Sequence, residues 1–330
     1  MRQIFYLPHY ILNITLGGVN YMAPVTAKMV QELREKTGAG MLDCKKALTE
    51  ADGNMDSAVK LLREKGLAAA ANRQSKTAAE GIVKVKLSDS LAVITEVNSE
   101  TDFVSRNEGF LDFAEKITEH IFNKQPEDLE SLKKQKFGDS TVNEELSNFI
   151  AKIGENIKVR RFDIFKAGSD ECMTKYIHGN GKIGVIVKIK LSDASKKSAP
   201  EIQELIKDLS MQIAAAEPKY INSKEVTKAE LDNEREIYSQ QMRNEGKPEQ
   251  IIAKIVEGKL SKYYELVCLI DQLFIKDTTL KVKTVIANVE KSCGVKIEVT
   301  GFVRYKVGEG IEKKKTDFAA EVEAQLNQAK

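Results

Sequence analysis

The chain is predicted to be an α+β protein, with helices and antiparallel strands in blocks rather than in strict alternation. Three observations carry this expectation. An N-terminal stretch shows apolar spacings of three and four with no strand pattern. Two later stretches each join strands of two-residue period to a helix of 3.6-residue period. A long charged stretch keeps helical spacing on both sides of Gly246-Lys247-Pro248. With 330 residues, 42% of them apolar, the chain can bury more than one core, so several domains are expected.

Composition narrows the function classes before any motif is read. Lysine and arginine number 51 against 49 acidic residues, so a net charge of +2 supplies no global field for holding a nucleic acid. Dense, balanced charge fits solvated helices instead. Cys44, Cys172, Cys268 and Cys293 are too scattered for a metal clip or a disulfide framework, and reduced thiols in a cytoplasm are expected. Only His9, His120 and His178 are present, and no glycine-rich phosphate loop occurs, so neither metal nor cofactor is expected. No catalytic constellation stands out, and the chain does not read as an enzyme or a membrane protein.

Residues 1–21 are apolar and aromatic with a single arginine and no acid, unlike a transit peptide, and Gly17-Gly18-Val19-Asn20-Tyr21 is a poor cleavage site. The segment reads as an extension, either a surface tail or a translated stretch upstream of a start at Met22. From Thr26, three short helices are expected, marked by Met29, Val30 and Leu33, then Leu42, Ala47 and Leu48, then Ala58, Val59, Leu61 and Leu62. Asp52-Gly53-Asn54 is the turn and Gly66 the stop, with Leu67 to Lys76 a helical or flexible linker. The Gly38-Ala39-Gly40 loop lets the backbone turn tightly or a partner come close.

Val83, Val85 and Leu87 alternate with Lys84 and Lys86, the pattern of a half-buried strand, and Leu91 to Val97 returns after Ser88-Asp89-Ser90. Phe110, Phe113, Ala114, Ile117 and Ile121 make a helical stripe. Pro126 to Gly138 reads as a charged loop, Val142 to Ile153 as a helix and Lys158 to Phe165 as a strand. The theme repeats with strands near Cys172–Ile177 and Gly184–Leu191 and a helix through Ile202, Leu205, Ile206, Leu209 and Ile213. Val83-Lys-Val-Lys-Leu-Ser-Asp89 and Val187-Lys-Ile-Lys-Leu-Ser-Asp193 echo each other, either as relics of duplication or as convergent strand patterns. Thr227 to Leu266 reads as two antiparallel helices. Leu231, Ile237 and Met242 mark the first, and Ile251, Ile252, Ile255, Val256, Leu260 and Leu266 the second. A helix near Lys281–Lys291, a strand over Val295–Val307 and a C-terminal helix with Phe318, Val322 and Leu326 on one stripe close the chain.

The stretch Asn98 to Phe110 lies between a strand and a helix, on a turn of the kind that carries function. Thr101 and Asp102 suit helix capping, and Phe103 could pack inward beside them. Thr316-Asp317-Phe318 repeats the tripeptide, so the three residues alone specify little. Glu96-Val97-Asn98 followed by Thr101-Asp-Phe-Val-Ser-Arg-Asn107, however, resembles the signature of the elongation factor Ts family. Thr37 to Leu48, His178 to Val187, Gly246 to Ile252 and Gly301 to Gly310 are similar to further segments of that family, in family order. Together they span nearly everything from Met22 onward.

The resemblance implies a guanine nucleotide exchange factor that binds elongation factor Tu in its GDP-bound and nucleotide-free states. It implies a ubiquitin-associated-like N-terminal module with its linker over 22–75 and a core of two related subdomains, over 76–160 and over 161–221 with 281–307. It also implies a coiled-coil insertion over 222–280 and a C-terminal module over 308–330. Thr101, Asp102, Phe103 and Val104 would disturb the Mg²⁺ site of the partner. Gly38, Gly40 and Met41, the turn residues His178, Gly179 and Gly181, and Phe318 would make further contacts. Two other readings remain at this stage. One is a ribosome- or RNA-associated module using Lys84, Lys86, Lys188 and Lys190. The other is a hydrolase pairing Asp102 with His178.

Overall fold

The computed structural model describes residues 25–73 and 75–312. The extension at 1–21 and the stretch with Phe318, expected as a C-terminal helix, lie outside the described residues. The chain divides into two compact units, Met1–Ala69 and Ala70–Lys330.

The first unit is built from α1 (Ala27–Thr37), α2 (Met41–Glu50) and the beginning of α3 (Met55–Arg73). Thr26 starts α1 by accepting a hydrogen bond from the Met29 N–H, and Gly38 ends it at φ 66°, a left-handed conformation open to glycine. Val30, Leu33, Cys44, Ala47, Leu48 and Ala58 close the core. Two expectations are corrected. Leu42 is 73% exposed, because it lies on the outer face of α2. Gly66 does not stop α3, which continues to Arg73. Gly66 lacks the positive φ of a helix stop, and the alanine-rich run after it favours helix by more than one interior glycine costs, about 1 kcal/mol.

The second unit is a stack of helix, sheet, sheet and helix. The first sheet has the order β1 (Glu80–Leu87), β2 (Leu91–Ser99), β5 (Lys158–Lys166), and the second β10 (Ile297–Lys306), β7 (Ile183–Leu191), β6 (Glu171–His178), all antiparallel. Side chains alternate across each sheet. Val93 and Val97 meet α5 (Glu108–Lys124), while Ala92 and Ile94 meet Ile186 and Tyr305 of the facing sheet. On the far side Val185, Val187, Ile189 and Leu191 pack on α8 (Pro200–Ala216) and α11 (Val282–Cys293). Because both faces of β1 are covered, Lys84 and Lys86 lie along α5 instead of open solvent. Pairing with β2 keeps β5 in the first sheet through Lys166.

The stretch expected as a loop holds α6 (Leu129–Lys134) and the two-residue strand β3 (Lys136–Phe137), which pairs with β4 (Ser140–Thr141) just beyond it, ahead of α7 (Val142–Ile153). Asp128 and Ser131 form a reciprocal capping box that starts α6. Between α8 and α11 the chain makes α9 (Lys228–Asn244) and α10 (Glu249–Val267), joined through Gly246 at φ 72° and Pro248. A small sheet of β8 (Leu273–Phe274) and β9 (Asp277–Lys281) follows. Met242, Ile252, Val256 and Leu260 form the seam of the helical hairpin, whereas Ile237, Ile251 and Leu266 are exposed. The four cysteines are free. No described helix is long and apolar enough to cross a membrane.

Candidate functional site

Beyond β2 the chain makes α4 (Asp102–Ser105), a single turn of helix. Thr101 caps it, its Oγ1 accepting from the Val104 N–H at 3.3 Å, and the Ser105 hydroxyl donates to the Asp102 carbonyl at 2.8 Å. Arg106 pairs with Asp102 at 2.9 Å. The capping expectation for Thr101 therefore holds, but the inward aromatic does not. Val104 is the residue that packs on the core, and Phe103 stands 83% exposed. With only one turn to present, the segment cannot bury both neighbours, and the β-branched side chain takes the inner place.

Ties from a distant segment brace this turn. Glu155 follows Gly154, which ends α7 in the left-handed region at φ 81°. Its carboxylate accepts from the Thr101 hydroxyl at 2.7 Å and from the Thr101 N–H at 3.1 Å. In return Glu100 accepts from the Asn156 N–H at 2.6 Å. Neither tie is readable in sequence, since the partners are 54 and 56 positions apart. The helix stop at Gly154 is the one local signal that something turns there.

Behind the turn, Glu96 is fully buried on β2. It accepts from Arg161 at 2.6 Å, the Gly308 N–H at 2.8 Å, and Asn98 and Arg160 at 3.0 Å each. Arg160 and Arg161 are consecutive and in a regular strand would face opposite ways. A bulge opposite Glu96 and Val97 turns both toward the one carboxylate. Burial acts to raise the Glu96 pKa, yet the Gly308 N–H, Arg161, Asn98 and Arg160 together outweigh it and hold the group below its ordinary value. Arg160 also donates to the Glu309 carbonyl, so the node joins the root of the α4 turn to the chain leaving β10.

The other sequence-derived candidates fall in separate places. His178, Gly179 and Gly181 make the β6–β7 turn. His178 is exposed and hydrogen bonds Tyr176 at 3.2 Å. Gly181 is buried at φ 86°, its carbonyl accepting from the Val83 N–H at 2.7 Å. Among the described residues Asp102 and His178 share no hydrogen bond, so the acid–base pair of the hydrolase reading is not formed. In the first unit Gly38 and Gly40 shape the turn before α2, and Met41 is 61% exposed at its start. Sequence reasoning missed Leu273 and Ile275, exposed apolar side chains at the β8–β9 hairpin. The four lysines of the RNA reading are all in ion pairs: Lys84 with Glu115, Lys86 with Glu119, Lys188 with Glu171 and Lys190 with Asp170.

Among the described residues, Met41, Phe103 and Ile275 are exposed apolar side chains at a helix start, a one-turn helix and a hairpin of this α+β protein, and apolar side chains left exposed in this way can mark a docking surface. Comparison with known proteins makes the class specific. The family model described as Elongation factor TS matches residues 100–309. Elongation factor Ts of Clostridium novyi (strain NT) is 48% identical over 309 residues, covering 92% of this chain and 99% of that protein. Elongation factor Ts of Clostridium perfringens (strain SM101 / Type A) is 48% identical over 301 residues, covering 90% and 98%. That of Clostridium kluyveri (strain NBRC 12016) is 45% identical over 307 residues, covering 92% and 99%. The chain belongs to the elongation factor Ts family, the nucleotide-exchange factors that serve elongation factor Tu in translation elongation.

Proposed function

We propose that this chain speeds GDP release from elongation factor Tu by carrying Phe103 into the neighbourhood of the Mg²⁺ site of the GTPase. The observation that carries the reading is an aromatic ring 83% exposed on a turn whose preceding residues, Glu100 and Thr101, are tied to Asn156 and Glu155. Mg²⁺ offsets the charge of a bound diphosphate, and a wedge that displaces its ligands leaves that charge poorly compensated. An exchange factor must bind the nucleotide-free partner better than the GDP-bound one, since a partner shifts an equilibrium only by its differential affinity. Thr101 caps the turn, Asp102 is set by Arg106, and Val104 anchors it, so the three act by holding Phe103. No covalent step occurs on the chain.

The remaining contacts are assigned on the same footing. The first unit, ubiquitin-associated-like, docks on the GTPase domain through Gly38, Gly40 and the exposed Met41. The His178–Gly181 turn meets another domain of the partner, with His178 and Gly179 at the surface and Gly181 shaping the turn from beneath. Phe318 adds a contact from the C-terminal module. The helical hairpin is a coiled-coil insertion, and the two sheets, whose strands follow the same order, belong to related subdomains. The factor works in the cytoplasm on the GDP-bound and nucleotide-free partner, with no direct nucleic-acid contact.

The test is stopped-flow release of a fluorescent GDP from elongation factor Tu over a titration of the factor. Phe103→Ala is expected to lower the maximal rate at saturation, and an unchanged maximum would overturn the wedge assignment.

A further inference from the structure

A helix of four residues cannot hold its own direction, because isolated turns are unstable in water and one turn closes almost no internal hydrogen bonds. The capping bond, the Ser105–Asp102 bond and the Arg106–Asp102 pair all lie within α4 and its flanks. They give the turn its shape, not its aim. Aim has to come from groups anchored elsewhere. Glu155 is such a group: Gly154 turns the backbone at the end of α7, and the buried Asn156 and Ile157 that follow fix the residue from the other side. Its two carboxylate oxygens take the hydroxyl and the N–H of Thr101, the residue that caps α4. A two-point bond to an ionised acceptor fixes direction as well as distance.

We propose that Glu155 is a positioning residue for nucleotide release, setting through Thr101 the angle at which Phe103 leaves the surface. The inference rests on the wedge reading of Phe103. A side chain ordered before encounter does not have to be ordered during it. The gain therefore falls on the displaced-nucleotide state, in which the ring must be in place, and not on the initial contact.

The experiment compares full-length wild type, Phe103→Ala, Glu155→Ala, Glu155→Gln and the Phe103→Ala/Glu155→Ala double variant. It reads GDP release from elongation factor Tu over a factor titration, with a thermal melt of each. Glu155→Ala is expected to lower the maximal rate about tenfold, the factor set by losing one charge-assisted hydrogen bond's worth of alignment. Its half-saturating concentration and melting temperature should stay near wild type. Glu155→Gln, which keeps an acceptor for Thr101, should recover most of the rate. The double variant should be no slower than Phe103→Ala, because without the ring there is nothing to aim. If Phe103→Ala is slow and Glu155→Ala is not, the positioning role is wrong and the wedge reading stands. A Glu155→Ala defect that adds fully to Phe103→Ala, or that comes with a lowered melt and no rescue by glutamine, also overturns the inference. An unchanged maximal rate in Phe103→Ala overturns the wedge reading and this inference with it.

Discussion

Phe103 and Phe110 stand in one short stretch, yet the first is 83% exposed and the second fully buried. Phe110 belongs to a helix whose apolar stripe is legible in the sequence, through Phe113, Ala114, Ile117 and Ile121. Phe103 belongs to a turn too short to have a period, so residue type alone gives no sign that its ring is exposed. Denaturation curves should separate the two rings: Phe110→Ala is expected to cost about 3–5 kcal/mol, Phe103→Ala no more than about 0.5 kcal/mol. Glu96 makes a prediction with a sign. Its folded pKa lies below the ordinary 4.5, so its contribution is present above that value and is lost as the pH falls through the folded pKa. At neutral pH Glu96→Ala is expected to cost about 3–5 kcal/mol, since two half-buried arginines lose their shared, fully buried carboxylate. The cost should shrink as the pH falls below that ordinary value. Urea unfolding of both proteins at pH 7 and pH 3.5 checks it; a cost independent of pH would show that the charge of Glu96 contributes nothing.

Periodic elements were legible almost to the residue, as with α7 at Val142–Ile153, because a buried stripe leaves a repeating mark. Elements made by local side-chain bonds were not. The sequence shows only charge over Pro126–Gly138, while the Asp128–Ser131 capping box builds α6 inside it. In the helical hairpin, apolar residues occur on more than one face, so Ile237, Ile251 and Leu266 could not be told from the seam residues Met242, Ile252, Val256 and Leu260. The β6–β7 turn gives a prediction at this scale. A Cβ on Gly181 would stand 2.4 Å from Ile82 Cγ1, while one on Gly179 would make ordinary contact with Lys182 at 3.5 Å. Both positions have positive φ, which costs an alanine about 1–2 kcal/mol. Gly181→Ala should therefore lower the melting temperature clearly more than Gly179→Ala. Equal melts would mean that the turn does not bear on β1.

The two sheets of the second unit repeat one connectivity. The first strand of each block pairs with the second, and the last strand of the block adds to the second strand's other edge. In that scheme β1 corresponds to β6 and β2 to β7, so the Val83–Asp89 and Val187–Asp193 echo, which joins β1 to β7, matches strands that are not equivalent. The echo reflects two lysine-alternating strands, and the repetition lies in topology, which no single pair of segments reveals. The lysines of these strands settle on acidic residues of the same unit: Lys84 and Lys86 on α5, and Lys188 and Lys190, which share the face of Ile186, on Glu171 and Asp170. For the molecule acting on its partner, linkage requires GDP to weaken the binding of the factor by the same factor by which the factor weakens GDP. Calorimetric titration of the factor into nucleotide-free and GDP-loaded elongation factor Tu should give that equality. The most direct measurement of the central claim is GDP release at saturating wild type and saturating Phe103→Ala, each with Mg²⁺ present and with Mg²⁺ chelated. If Phe103 works by disturbing the Mg²⁺ site, the gap between the two proteins should be wide with Mg²⁺ and should narrow once the ion is removed. A gap of the same size in both conditions would contradict the account.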